Sequence, residues 1–387
     1  MSLPVRLGLF YSAIFVGAGV SSPYLPVWFA HHGLNGAQIG LILSLPMLAR
    51  AFTAPLIAVW ADSFRLRRTA LIVMSLAVTA AYTAMALPLG FAGWTVVWFV
   101  ASSTFSTLSP LTDVIVLNRA RRDGFNYGWP RGIGSVAFII ANITMGAILT
   151  WGSPDLVLVW MVAAVALTAL AARVLLPPDP VHEEGHVATA SDRFAGLGDL
   201  LRDPGFMLAA VSAGLIQSGH AFYYSFSTLA WKQQGIPESL TGVLWGIAVA
   251  VEVMFLWFME PWRRRVGPRN LLALGAVAAI VRWTALAFAP PLWLILLLQP
   301  LHVLSFAATF LASLQLVERL STPRNASAAQ AINSALSGGV LMGVATMASG
   351  PLFDRFGAQG YLLMSAMCLA GLIGALRLYG VRRLDPA

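Results

Sequence analysis

The sequence predicts an all-α membrane protein of twelve transmembrane helices, in two six-helix halves. Of its 387 residues, 58% are hydrophobic and only 10% are charged, whereas soluble domains carry roughly 25% charged residues. Apolar stretches long enough to span a bilayer, about 17 to 25 residues each, recur along the whole chain. A water-soluble fold could not bury so much apolar surface, but a lipid bilayer accepts it.

Six predicted spans precede the only long polar segment, and six follow it. That segment, 177–205, begins PPDPVHEEGHVATASDRF, and its prolines, acids and small residues favour a linker. We therefore predict an N-terminal half over 1–176, a cytoplasmic linker over 177–205 and a C-terminal half over 206–387. The predicted spans are 6–30, 37–61, 68–88, 92–118, 128–150, 155–176, 206–232, 239–260, 270–289, 292–318, 327–350 and 359–380.

The distribution of positive charge predicts the orientation in the membrane. With a cytoplasmic amino terminus, nineteen of the twenty-four Lys and Arg residues fall in inner loops and tails, and only Lys232 and Arg355 fall in outer loops. This bias predicts a multi-pass protein of the cytoplasmic (inner) membrane with both termini inside. The net charge of +8 does not indicate nucleic acid as a partner, because the basic residues form no single patch or tail.

Basic loops recur at corresponding places in the two halves. ADSFRLRR (61–68) corresponds to MEPWRRRVGPRN (259–270), and NRARRD (118–123) corresponds to ERLSTPR (318–324). A parallel repeat of six helices is typical of the major facilitator architecture, in which substrate binds near the midplane between the halves. The alternative is an unrelated twelve-helix protein whose inner loops are simply basic.

Ionisable side chains within the predicted spans are candidates for function, because an Arg or Asp at a helix centre costs roughly 2.5–3.5 kcal/mol to insert. Glu252 is a lone carboxylate in AVAVEVMFLWFM. Loss of water favours the protonated form of a carboxylic acid, which suits a proton carrier; a permanent pair with Arg282 is the alternative. His302 could shuttle a proton or form a neutral hydrogen bond between helices.

The three arginines that belong to neither the inner nor the outer loops lie inside predicted spans. Arg50 and Arg282 keep their charge and need an anion, either a substrate carboxylate or an internal acid. Arg131 lies near one end of its span, as does Asp113 in the preceding span, and the two could form a structural salt bridge between neighbouring helices.

A polar and aromatic group occurs in the seventh predicted span. It contains His220 among Gln217, Tyr223 and Tyr224. These side chains could bind substrate, with the aromatic rings as a stacking surface, or they could simply pack between helices.

Four segments resemble a known family. SPLTDVIVLN (109–118), YGWPRGIGSVAF (127–138), QSGHAFYYSFSTLAW (217–231) and LWGIAVAVEVMF (244–255) resemble the phenylpropionic acid permeases, in the oligosaccharide and nucleoside proton-symporter neighbourhood of the major facilitator superfamily. The resemblance runs over essentially the whole chain. It implies proton-coupled transport of an aromatic or other small organic acid.

The resemblance also assigns roles to particular residues. In the related lactose permeases, an acid in helix 4 precedes an arginine in helix 5 by eighteen residues and the pair binds substrate; Asp113 and Arg131 have this spacing. An arginine in helix 9 precedes a histidine in helix 10 by twenty residues, as Arg282 precedes His302. The resemblance therefore implies binding for the first pair and proton coupling or binding for the second.

Two departures from the lactose permeases concern the proton carrier. Their acid three residues after the histidine is Ser305 here, and their helix-8 acid is not in register with Glu252. The sugar-specific mechanism therefore does not transfer, and Glu252 becomes the candidate carrier.

We expect a symporter that works by alternating access, without a cofactor and driven by the proton gradient. An exporter or facilitator of the same fold, for sugars, nucleosides or drugs, is the nearest alternative; a solute sensor or intramembrane enzyme is a distant one. No HExxH, GxSxG or P-loop motif and no metal-ligand spacing occurs in the sequence, so we expect neither an enzyme nor a metal site. By analogy with this superfamily, we expect a monomer.

Overall fold

The computed structural model describes residues 1–181, 196–381 and 384, and the regular structure within them is almost wholly helical. In this described part the only β-type pairing is an isolated antiparallel bridge between Leu66 and Pro180. The predicted all-α class is confirmed. Residues 182–195 of the predicted linker lie outside the described residues.

Six long helices form the first part of the chain. Local sequence defines some of their ends: Asn35 and Gln38 form a reciprocal capping box at the start of the second helix, and Gly124, at a φ of 72°, ends the fourth in the left-handed conformation that favours glycine. The predicted and observed boundaries differ by only a few residues. The helices are α1 (Leu3–His31), α2 (Gly36–Asp62), α3 (Arg67–Met85), α4 (Gly90–Asp123), α5 (Gly128–Leu149) and α6 (Asp155–Leu175).

The second part of the chain has more interruptions. Its helices are α7 (Leu197–Arg202), α8 (Pro204–Ser218), α9 (Ala221–Gln233), α10 (Glu238–Phe258), α11 (Glu260–Ala287), α12 (Leu292–Leu298), α13 (Thr309–Leu320), α14 (Ala326–Ser334), α15 (Leu341–Phe356) and α16 (Tyr361–Arg377). At Gly267, whose φ is 75°, the backbone of α11 leaves the helical conformation, and Pro268 follows.

The seventh predicted span, 206–232, is not one continuous helix. The structure divides it into α8 and α9 at Gly219 and His220. Gly219 packs tightly there, because a Cβ atom at this position would contact the sulfur of Cys368 and lie 3.2 Å from Nε1 of Trp283. Hydropathy does not detect such a break, since both pieces are apolar.

Ten stretches among the described residues are long and apolar enough to cross a membrane. One of them, Ala326–Gly380, has 55 residues and contains two predicted spans. The divided seventh helix is not among the ten, because neither of its pieces has the required length. When Ala326–Gly380 is counted as two spans and the divided seventh helix is added, the described residues contain the twelve predicted helices.

The helices form two compact units. The first contains the described residues of Met1–Gly185 together with Ser225–Gly246; in it α1 packs against α5 and α6, and α3 against α4 and α6. The second contains the described residues of His186–Tyr224 and Ile247–Ala387, and in it α16 packs against α8 and α11. The predicted halves, 1–176 and 206–387, follow chain order instead and stay a prediction.

The start of the predicted linker is bound to the first unit. Asp179 is only 8% exposed, and its carboxylate accepts hydrogen bonds from Nε of Arg119, at 2.9 Å, and from Nη2. Arg67 donates to the carbonyl of Val181 at 2.8 Å. These bonds tie the chain after α6 to the ends of α3 and α4.

The tenth predicted span changes helix type. Between α12 and α13 the chain forms a 3₁₀ turn over Gln299–Leu301 and then a π-helix over Val303–Ala308. Helix α11 approaches this segment closely at Gly275, where an added Cβ would lie 2.7 Å from the carbonyl oxygen of Leu304. Short π segments often occur at functional sites.

Candidate functional site

A buried arginine forms the centre of a polar cluster in the second unit. Arg282, on α11, is fully buried and donates hydrogen bonds to Nδ1 of His302 at 2.9 Å and to Oε1 of Gln299 at 2.8 Å. Its guanidinium also lies over the rings of Tyr223, at 4.4 Å, and Trp283, at 4.6 Å. Because these groups are neutral, they orient the charge without cancelling it.

The contact with Arg282 determines which nitrogen of His302 carries hydrogen. A guanidinium has donors only, so Nδ1 of the histidine accepts and the ring hydrogen lies on Nε2. That Nε2 is 3.8 Å from Oε2 of Glu252, whose side chain is 22% exposed. Among the described contacts, the path between Glu252 and Arg282 therefore runs through His302, in place of the direct pair that the sequence left open.

The 3₁₀ turn brings the two acceptors of Arg282 together. Residues three apart lie above one another in a 3₁₀ helix, so Gln299 and His302 face the same guanidinium. Gln299 is fully buried, and its Oε1 also accepts a hydrogen bond from the hydroxyl of Tyr223 at 3.2 Å. Sequence reasoning missed Gln299, although a polar residue within the apolar run LILLLQPLH (294–302) was a usable signal.

His220 lies at the break between α8 and α9 and has internal partners. Its Nδ1 is 3.0 Å from the carbonyl oxygen of Gln217, which can only accept, so Nδ1 donates. Its Nε2 is 3.1 Å from Oγ of Ser305. Gln217 donates from Nε2 to the carbonyl of Phe306 at 3.2 Å. These bonds join the broken helix to the π segment.

The two predicted tyrosines of α9 are placed differently. Tyr223 is fully buried beneath Arg282 and bound to Gln299. Tyr224 is less buried, and its ring stacks at 5.7 Å on that of His220. The predicted group in the seventh span is thus part of the same cluster as Arg282 and His302.

Asp113, in the first unit, is held by tyrosines. Its Oδ1 accepts hydrogen bonds from the hydroxyls of Tyr11 and Tyr127, the latter at 2.9 Å. Within the described residues Asp113 and Arg131 form no ion pair, so the structural salt bridge that spacing left open is absent. Tyr11 and Tyr127 were missed because nothing in the sequence relates α1, or the start of α5, to Asp113 on α4.

Arg131 is placed over aromatic rings instead. Its guanidinium carbon is 4.2 Å from the centre of the Phe15 ring and 5.4 Å from that of Tyr11. Its Nη1 is buried without a hydrogen-bond partner among the described residues. A guanidinium with an unused donor beside aromatic rings can bind a planar anion such as a carboxylate.

Arg50, on α2, joins neither cluster. It is partly buried, and within the described part of the chain it forms no hydrogen bond or ion pair. Its predicted role in binding therefore stays a prediction.

The comparisons with known proteins agree with this architecture. The model of the "MFS_1 like family" matches residues 5–364. The chain belongs to this family. It is therefore a secondary transporter of the major facilitator superfamily, a multi-pass membrane protein whose relatives are transporters and not enzymes.

This MFS transporter is similar over most of its length to curated relatives. It is 28% identical over 371 residues to the "Probable 3-phenylpropionic acid transporter" of Escherichia coli (strain K12), covering 94% of both chains. It is 28% identical over 365 residues to the "Maltose permease" of Geobacillus stearothermophilus, covering 93% of this chain and 90% of that one.

A solved structure shares the fold. A mutant form of the nucleoside transporter NupG superposes with a TM-score of 0.88, at 16% identity, over 98% of this chain and 100% of that chain. At this identity the likeness shows the fold alone. The predicted major facilitator fold and the resemblance to phenylpropionic acid permeases are thus confirmed.

Proposed function

We propose that this MFS transporter is a proton-coupled symporter of a small aromatic carboxylate, such as 3-phenylpropionate. The observation that carries the proposal is the series Glu252, His302 and Arg282, in which a partly buried carboxylate and a buried positive charge lie at opposite nitrogens of one imidazole. Such a group of ionisable side chains within a membrane is expensive to maintain and marks a proton or ion pathway.

Glu252 is the proton carrier in this proposal. When it is ionised, the hydrogen on Nε2 of His302 faces it and the positive charge of Arg282 lies beyond the ring. When it is protonated, the negative charge on the far side of the imidazole from Arg282 is lost. The protonation state of one carboxyl group thereby changes the electrostatic balance of the buried cluster, which is what coupling requires.

His302 is less suited to carry the proton itself. Its Nδ1 accepts from Arg282, so a second proton on the ring would have to displace that bond. We assign His302 the role of connecting Arg282 to Glu252.

The carboxylate of the substrate binds Arg131 in this proposal. The buried Nη1 of Arg131 has no partner among the described residues, and a carboxylate would satisfy it with a charge-assisted hydrogen bond. Phe15, at 4.2 Å from the guanidinium, offers a neighbouring surface for an aromatic group. The name of the E. coli relative, a probable transporter of 3-phenylpropionic acid, supports this substrate class.

The proposal includes a transport mechanism, an oligomeric state and a membrane orientation. The transporter works by alternating access as a monomer in the inner membrane, with both termini in the cytoplasm and no cofactor. The proton gradient supplies the driving force. The basic inner loops predicted from the sequence support the orientation.

The test is uptake of labelled 3-phenylpropionate into proteoliposomes, with and without an imposed inward proton gradient. The Glu252→Gln variant should lose gradient-driven accumulation and retain exchange at equal concentrations, because the amide fills the same space but cannot release a proton. Glu260→Gln is the matched control, since Glu260 is exposed and pairs with Arg264 one turn away.

Three results would contradict parts of the proposal. Accumulation that persists in Glu252→Gln would exclude this carboxyl group as the proton carrier. Uptake that equilibrates without responding to the gradient would identify a facilitator, and absence of uptake by the folded protein would direct the substrate search to sugars, nucleosides and exported compounds.

A further inference from the structure

We infer that Gln299 is a positioning residue for proton coupling: with His302 it holds Arg282 between two neutral acceptors, so that Glu252 is the carboxylate to which the arginine charge responds. This inference rests on the proposed symport.

The geometry of Gln299 is that of a connecting group. Its Oε1 accepts from Nη2 of Arg282 at 2.8 Å and from the hydroxyl of Tyr223 at 3.2 Å. Its Nε2 lies 3.4 Å from the carbonyl oxygen of Ile295, one turn earlier. The side chain is therefore bonded at both ends and fully buried, which leaves it a single orientation.

Gln299 and His302 accept hydrogen bonds from different nitrogens of the Arg282 guanidinium. The glutamine takes Nη2 and the histidine takes Nη1, so the plane of Arg282 is defined by two bonds from one 3₁₀ turn. If the glutamine bond is lost, the arginine can rotate away from Nδ1 of His302. The imidazole hydrogen would then no longer be restricted to Nε2, the nitrogen that faces Glu252.

The neutrality of Gln299 matters as much as its shape. A carboxylate at this position would be a permanent counter-ion at hydrogen-bond distance from Arg282. Opposite charges interact strongly where solvent screening is weak, so the charge of Arg282 would be balanced whether or not Glu252 carried its proton. The cluster would keep its packing and lose its sensitivity to Glu252.

The experiment compares Gln299→Glu, Gln299→Met and the unmodified transporter in proteoliposomes. Infrared difference spectra recorded over a pH series report the C=O band of protonated Glu252, which is identified by its absence in Glu252→Gln. This measurement needs no substrate. Gradient-driven uptake of labelled 3-phenylpropionate is measured in the same preparations, and Gln233→Glu serves as the control because Gln233 is exposed at the end of α9.

We expect the Gln299→Glu variant to alter the pH dependence of the Glu252 band. The added carboxylate repels the ionised form of Glu252, so the protonated form persists to higher pH. We also expect the accumulation ratio to fall toward that of Glu252→Gln, with exchange retained. Gln299→Met keeps the side-chain volume and removes the hydrogen-bond acceptor. Because Arg282 is then no longer held in one orientation, we expect the Glu252 band to broaden and accumulation to fall. This variant also tests the inference if Gln299→Glu does not fold.

Gln299→Glu adds a charge of its own, so Gln299→Met is the deciding variant. A band width and an accumulation ratio in Gln299→Met equal to those of the unmodified transporter would overturn the inference, because a residue that only fills space can be replaced by another of similar volume. The proposed symport fails separately, when the unmodified protein shows no gradient-driven uptake or when Glu252→Gln retains it. Loss of coupling in Glu252→Gln, together with full coupling in both Gln299 variants, would leave the symport standing and exclude the role of Gln299.

Discussion

Neutral side chains contact three charged residues within the helices of this transporter. Arg282 is bonded to an imidazole and an amide, Asp113 to two phenols, and Arg131 lies against aromatic rings. A buried ion pair would satisfy each charge internally, and breaking it would be strongly unfavourable. Neutral partners instead reduce the cost of burial while leaving the charge able to respond to a proton or a substrate.

The role of Arg131 can be tested with a change that conserves charge. Arg131→Lys keeps the positive charge but loses the planar fork that binds a carboxylate. Loss of one charge-assisted hydrogen bond costs roughly 1.5–3 kcal/mol, so we expect KM for 3-phenylpropionate to rise about ten- to a hundredfold with a smaller change in kcat. Initial rates of uptake over a substrate series measure both constants.

A matched control is available on α4. Arg121 is exposed in the last turn of this helix, and Arg121→Lys should leave both constants unchanged. If KM of Arg131→Lys equals that of the unmodified protein, Arg131 does not bind the carboxylate.

At the level of secondary structure, interrupted helices position the polar cluster of the second unit. The break between α8 and α9 places His220 beside Ser305, and the change from 3₁₀ to π geometry places Gln299 and His302 against Arg282. The close approach of α11 at Gly275 is part of this arrangement. Regular α-helices would present residues three apart at different angles and would not align the two acceptors in this way.

Gly275→Ala tests the importance of that close approach. The added methyl group would contact Thr309 and lie 2.7 Å from the backbone oxygen of Leu304, so the π segment must shift. Overpacking of this kind typically costs about 1–3 kcal/mol. We expect the free energy of unfolding to fall by this amount, measured by circular dichroism during denaturation in detergent.

Gly198→Ala is the control for this substitution, because a Cβ atom at Gly198 meets nothing within 4 Å. It should leave the free energy of unfolding unchanged or slightly higher, since alanine favours a helix. Equal stability of the two variants would show that α11 and the π segment tolerate separation.

Charge distribution is the whole-molecule property that predicts the orientation. The connections that hold most of the basic residues, such as ADSFRLRR (61–68), alternate along the chain with connections that hold few. In the loop between α5 and α6, Trp151 is 94% exposed, as expected for an aromatic residue at a membrane interface.

Cysteine labelling tests this orientation. The native cysteine, Cys368, is buried, so the chain with Cys368→Ser is a suitable background. A membrane-impermeant thiol reagent added to intact cells should label Ser153→Cys, in the α5–α6 loop, and should not label Ser63→Cys, after α2. Both positions are exposed, and both should react after permeabilisation. The reverse pattern would place the termini outside.

Local sequence properties were sufficient to predict the fold class, the approximate limits of most helices and the polar residues worth examining. These follow from local properties: a span is recognised by its own length and hydrophobicity, and an ionisable residue within it is conspicuous. The family resemblance agreed with the comparisons for the same reason, since the segments that carry it are continuous in the chain.

The pairing of those residues depends on how the helices pack against one another. Tyr11 and Asp113 are 102 residues apart, and Arg282 and Gln299 are 17 apart on different helical segments. Helix packing determines which faces meet, and hydropathy contains no information about rotation of one helix relative to another. The sequence left open a salt bridge between Asp113 and Arg131, and helix packing does not form it among the described residues. The break at His220 appeared only where a glycine packs closely against its neighbours.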